Sequence, residues 1–101
     1  MKTTVVKIGH GAYDVYIGRK GKGEDGYFGN PHACDGFCKV CKTWHDRDES
    51  VAAYSRTFYE RIKNDPEFKV RVLALKGKRL GCFCHPLPCH GNVIANWVNR
   101  Q

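Results

Sequence analysis

Polar and apolar positions along this chain change their period several times, and each change marks an element. Val51, Tyr54, Phe58 and Ile62 recur at three- and four-residue spacing, which places them on one stripe of a helix. Asp46 stands ahead of that stripe with Glu49 three positions later, an aspartate version of a capping box. The spacing therefore predicts a helix over 47–64. Asp65-Pro66 restarts the chain, since proline suits the first helical position, and Phe68, Val72 and Leu75 share one face of a second helix that stops near Gly77. Val93, Ile94, Trp97 and Val98 form the stripe of a terminal helix over 90–100. Ahead of it, "KRLGCFC" (78–84) reads as a strand. At the start, "TTVVKIG" (3–9) and "AYDVYIG" (12–18) are β-branched and aromatic and are joined by His10-Gly11, so they predict a strand pair or hairpin. "RKGKGEDGYFGNP" (19–31) is a glycine-rich loop whose backbone can come close to another group. The predicted order is β-β-loop-α-α-β-α, a small α/β or α+β sandwich with the stripes as its core.

Composition adjusts this picture. The apolar fraction of 42% supports a folded globule, and 101 residues make one domain, 1–101, with a modest core that a metal or disulfide staple would help. The longest apolar runs, such as "VLAL" (72–75), are far too short to span a bilayer, and the N-terminal segment carries no apolar signal-peptide run. The expected setting is a reducing cytoplasm, in which six cysteines read as thiols or metal ligands. The net charge of +7 is spread over several Lys/Arg groups and favours anionic partners, nucleic acid or nucleotides.

All six cysteines fall in two segments. In "CDGFCKVCKTWH" (34–45), Cys38-x-x-Cys41 can turn both sulfurs toward one ion, and His45 follows at the start of a helix as a third ligand. Cys34 is the nearest fourth ligand, which makes 32–46 a zinc-knuckle-like insertion. In "GCFCHPLPCHG" (81–91), Cys82 and Cys84 alternate on a strand and so share a face, with Phe83 on the other. Cys89 and His90 stand at the first turn of the last helix, where the helix dipole favours a thiolate. Two readings follow: Cys82, Cys84, Cys89 and His90 hold a second zinc ion, or Cys89 and His90, as candidate catalytic residues, line a reactive or anion-binding pocket. A mixed site, in which Cys38, Cys41 and His45 take their fourth ligand from the C-terminal segment, is a third arrangement. One or two zinc ions per chain are expected.

"YIGRKGK…YFGNP" followed, after a helix, by "LKGKRLGCFCHPLPCHGNVIANWV" resembles the domain of unknown function 4326 family of phage and bacterial proteins. The residues that carry the resemblance are Gly18, Arg19, Gly29, Asn30, Pro31, Leu80, Cys82, Cys84, Pro86, Cys89, His90 and Gly91. It implies a phage or bacterial origin, and hence host cytoplasm for a phage-encoded chain. The chain departs from the family in Lys20-Gly21-Lys22 and in a longer loop before Gly29.

Arg19 opens the glycine-rich loop after a strand, a place suited to gripping a phosphate or to a structural ion pair. Arg19 and Asn30 reach the C-terminal crevice if the second strand lies beside the third. The spacing matches neither a P-loop nor a dinucleotide fingerprint, and no His-x-Glu…Pro-Cys-x-x-Cys deaminase pattern is present. The expectation is a zinc-binding module for nucleic acid or a host protein. The alternative is a small enzyme or binder acting on a nucleotide or nucleobase in the C-terminal Cys/His pocket.

Overall fold

A computed structural model describes residues 2–19, 21, 23–83, 87 and 89–101. Strand β1 (Thr4–Lys7) and strand β2 (Val15–Tyr16) both run parallel to strand β5 (Arg79–Cys82), which lies between them in the order β1-β5-β2. The expected hairpin of the first two strands is thus corrected. After β1 the chain doubles back through 8–14 and restarts in the same direction, and Val5 and Val15 both flank Leu80 across the ladder. The late strand is fully buried from Leu80 to Cys82, so it takes the central place that satisfies its backbone on both edges.

Strands β3 (Gly36–Cys38) and β4 (Thr43–His45) form a separate antiparallel hairpin. The pattern of apolar residues gave no sign of it, because only Phe37 and Trp44 are large and both point outward. Helix α1 (Arg47–Asn64) begins where the capping box placed it: the Asp46 side chain accepts from Glu49 N–H at 2.8 Å and Glu49 Oε1 from Asp46 N–H at 2.9 Å. Helix α2 (Pro66–Leu73) follows after Asp65, which ends α1 and caps α2. Helix α3 (His90–Asn99) packs against β1, α1 and α2. The architecture is a small α+β domain of three helices and two small sheets.

The core gathers Phe58, Phe68, Val72, Leu80, Ile94 and Val98, each almost wholly buried. Phe58 sits at its centre, edge-to-face with Phe68 and Trp97 at 5.7 and 6.0 Å. The N-terminus is tied down by Thr3. Its N–H and C=O bond the Asn99 amide at 2.8 and 2.9 Å, and its hydroxyl donates to Leu75 O and accepts from Gly77 N–H. Gly91 lets α3 lie on the sheet: a Cβ there would stand 2.7 Å from Ile17 Cδ1 and 3.1 Å from Val5 Cγ2. No helix among the described residues is long and apolar enough to cross a membrane.

Candidate metal centres and the adjoining cleft

The hairpin turns Cys38 and His45 to its inner side, toward α1, and Phe37 and Trp44 to its outer side. Cys41 joins Cys38 from the turn, and the fourth donor comes from His32. One ligand atom each from His32, Cys38, Cys41 and His45 lies within 4.8 Å of the others. Zinc bonds of about 2.0–2.3 Å put neighbouring donors roughly 3.3–3.8 Å apart. His32 Nδ1 is already 3.4 Å from Cys38 Sγ and 3.5 Å from Cys41 Sγ.

The environment of each ligand fits a metal. Both ring nitrogens of His45 are buried without a hydrogen-bond partner among the described residues, a state that a coordinated ion would relieve. The other nitrogen of His32, Nε2, meets Thr57 Oγ1 at 2.9 Å, so the hydroxyl can hold the tautomer that presents Nδ1 to the sulfurs. Burial alone would raise the Cys38 thiol. The N–H groups of Cys41 and Ala33, the His32 ring and the Val40 N–H outweigh it and bring Cys38 down to about 6. Desolvation and the neighbouring Cys38 sulfur push Cys41 the other way.

His32 is anchored through its backbone as well. Its N–H donates to Asn30 Oδ1 at 2.9 Å, and its carbonyl accepts from the Arg19 guanidinium at 2.6 Å and the Ser50 hydroxyl at 3.3 Å. Asn30 also donates to Ser50 Oγ at 3.0 Å. The Gly-Asn-Pro turn therefore serves to place a histidine. His32 was not legible as a ligand because Cys34 lies nearer in sequence to the Cys38-x-x-Cys41 pair; the signal available was a histidine directly after that turn. Cys34 lies outside the group of four donors, and so do Cys82, Cys89 and His90 of the C-terminal segment.

The second group is Cys82, Cys89 and His90, all buried. Cys82 ends β5 and Cys89 caps α3, with its sulfur accepting from Gly91 N–H at 3.2 Å and its own N–H bonded to Asn92 Oδ1 at 3.1 Å. The two sulfurs are 2.8 Å apart. His90 Nε2 stands 2.6 Å from the carbonyl of Ile17, a pure acceptor, so Nε2 carries the proton and Nδ1 offers its lone pair on the side of Cys89 Sγ, at 3.9 Å. Burial lowers the His90 pKa, with the Ile17 bond opposing, and the neutral form a ligand needs is favoured. Cys84, the further ligand expected from the sequence, lies outside the described residues.

Beside this group opens a cleft of about 560 Å³ at the carboxyl ends of β2 and β5. Arg19, Asn30, Cys82, Cys89 and His90 line it together, and Cys34 forms part of its wall. Its aromatic surfaces are Tyr13, Tyr16 and Phe83. Tyr16 folds over Gly18, where a Cβ would be only 2.3 Å from its hydroxyl, and that hydroxyl donates to Arg19 O at 2.9 Å. Tyr13 covers Gly81 in the same way. The crevice at the carboxyl edge of parallel strands, facing a helix N-terminus, is where α/β sheets commonly hold ligands.

These observations define a class: a small α+β domain with two Cys/His groups that could each hold a metal ion, one closing a hairpin and one flooring a cleft. The chain matches the domain of unknown function family DUF4326 over residues 4–100, and it belongs to that family. A relative of Enterobacteria phage T4, described as an uncharacterized 12.4 kDa protein in the nrdA-td intergenic region, is 43% identical over 61 residues. That alignment covers 60% of this chain and 56% of the relative, little more than half of its length. No solved structure matches the chain.

Proposed function

We propose that this chain is a zinc protein, of phage or bacterial origin, with one centre that ties down the hairpin and a second at the floor of a binding cleft for a small anionic ligand of the nucleotide class. The observation that carries the reading is the convergence of Arg19, Asn30, three aromatic rings and the Cys82/Cys89/His90 group on one cleft of small-molecule size. Aromatic faces suit a base, and a guanidinium beside a helix N-terminus suits a phosphate. The hairpin centre, with His32, Cys38 and His45 buried and Cys41 closing it from the exposed turn, is the structural one. The C-terminal centre, at the cleft floor, is the working one, and Cys89 and His90 are the residues of it that a cleft ligand would meet.

The test joins metal counting to ligand screening. Metal content by mass spectrometry on untagged protein is expected to give two zinc ions per chain, and Cys38→Ser to remove one together with much of the thermal stability. Against nucleoside mono- and diphosphates, the wild type is expected to gain melting temperature, and Arg19→Lys and His90→Ala to lose that gain while remaining folded. Metal-free protein of undiminished stability defeats the zinc reading, and a flat response across the panel defeats the cleft reading.

A further inference from the structure

The outer face of the hairpin carries exposed aromatic side chains. Phe37 and Trp44 are directly opposite each other across β3 and β4, and they are 59% and 63% exposed. Facing residues of an antiparallel pair hold their Cβ atoms about 4.5–5.5 Å apart, so the two rings form one apolar platform. Val40, at the turn, is 61% exposed. Lys39 and Lys42 stand in the same turn, both exposed, and neither takes part in an ion pair among the described residues. The hairpin's acidic residues lie at its other end, Asp35 before β3 and Asp46 after β4, and the Asp46 carboxylate is turned onto the Glu49 N–H of α1.

We propose that this face binds single-stranded nucleic acid, with bases stacked on Phe37 and Trp44 and phosphates on Lys39 and Lys42. Aromatic side chains within a basic surface bind single strands because every base has a face to stack and every step a phosphate to neutralise. A net charge of +7 steers such a ligand in, and the turn lysines are placed to meet it. A duplex hides its base faces, so it gains only the charge. An apolar protein partner would bury the two lysines with no acid opposite. Cys38 and His45 face inward behind the platform, and a metal ion held by them with His32 and Cys41 would stiffen the hairpin without using Phe37 or Trp44. The site is separate from the cleft: none of Phe37, Lys39, Lys42 and Trp44 lines it.

The chain has two tryptophans, and Trp97 is nearly buried against Phe58. In a Trp97→Phe background, Trp44 is the sole tryptophan, and excitation at the red edge selects it over the five tyrosines. Titration with an oligothymidylate of about ten nucleotides is expected to quench its fluorescence, more weakly as salt rises. Trp44→Ala and Phe37→Ala, both surface changes that leave the melting temperature in place, are each expected to weaken binding of a labelled oligonucleotide about tenfold. Lys39→Ala and Lys42→Ala are expected to flatten the salt dependence by about one each. Nucleotide binding in the cleft should be unaffected by all four, which separates this site from that one. Unchanged affinity in the aromatic variants, equal affinity for duplex and single strand, or no quenching at low salt each overturns the proposal. So does a Trp44→Ala variant whose only change is a loss of self-association in sedimentation.

Discussion

At the residue scale, two histidines are oriented in the same way. His32 and His90 each anchor Nε2, on the Thr57 hydroxyl and the Ile17 carbonyl, and each leaves Nδ1 beside thiols. A metal site built so should depend on the anchor. Thr57→Val is expected to lower zinc affinity at the hairpin about 10–100-fold, read by competition with a chromogenic chelator. His32→Ala should remove that ion and Cys34→Ser should not; an ion lost from Cys34→Ser and kept in His32→Ala would return the fourth ligand to Cys34. A second residue-scale effect is set by charge. The Arg79 side chain and N–H hold the Asp14 carboxyl at about 2, against an ordinary 3.8. The folded state thus releases that proton more readily than the unfolded chain does. The pair stabilises the fold above pH 3.8 and loses this as the pH falls toward 2. Urea midpoints at about pH 5 and about pH 2.5 should therefore differ less in Asp14→Asn than in the wild type. Equal differences would show that the pair contributes nothing.

At the element scale, what decides stability is close approach between elements. Helix α3 reaches β1 and the end of β2 through Gly91, and the space there is smaller than a methyl group. Gly91→Ala removes no contact and improves helix propensity, yet it should destabilise the fold by about 1–3 kcal/mol through overpacking against Ile17 and Val5. A denaturation curve that shows a gain would mean the helix can shift outward freely. The Thr3 clamp works at the same scale, joining the start of β1 to the end of α3 and to the α2–β5 turn. Asn99→Ala leaves the Thr3 N–H and C=O unmatched at a buried site, and a loss of about 1–3 kcal/mol in the same experiment is expected.

At the scale of the molecule, the hairpin centre and the cleft are linked through one backbone carbonyl. Arg19 lines the cleft and its guanidinium is held by His32 O, while His32 Nδ1 is a donor of the hairpin group. Chelation should therefore do more than lower the melting temperature. An ion held by the hairpin group would tie the loop carrying His32 to Cys38 and Cys41, so its removal should free that loop and leave Arg19 without a fixed acceptor. A strong zinc chelator is expected to lower the melting temperature sharply in the wild type and little further in His32→Ala. A chelator response that His32→Ala leaves at wild-type size would place the stabilising ion elsewhere.

The chain by itself determined its helices and the location of its chemistry. The Val51–Tyr54–Phe58–Ile62 stripe with Asp46 and Glu49 gave α1 to the residue, and Asp65-Pro66 gave the break before α2, because capping and periodicity are local properties. The cysteine spacings likewise marked both Cys/His groups. Strand pairing was not legible: β1 and β2 read as partners, yet each needed the buried late strand β5, whose place depends on contacts across more than sixty residues. The β3–β4 hairpin escaped because its inward side is made of metal-type ligands instead of apolar ones, so alternation of hydrophobicity never appears. His32 in place of Cys34 was a tertiary decision too. Its ring is brought to the sulfurs by Asn30, Ser50, Arg19 and Thr57, four partners from three separate stretches of chain, and no spacing rule contains them.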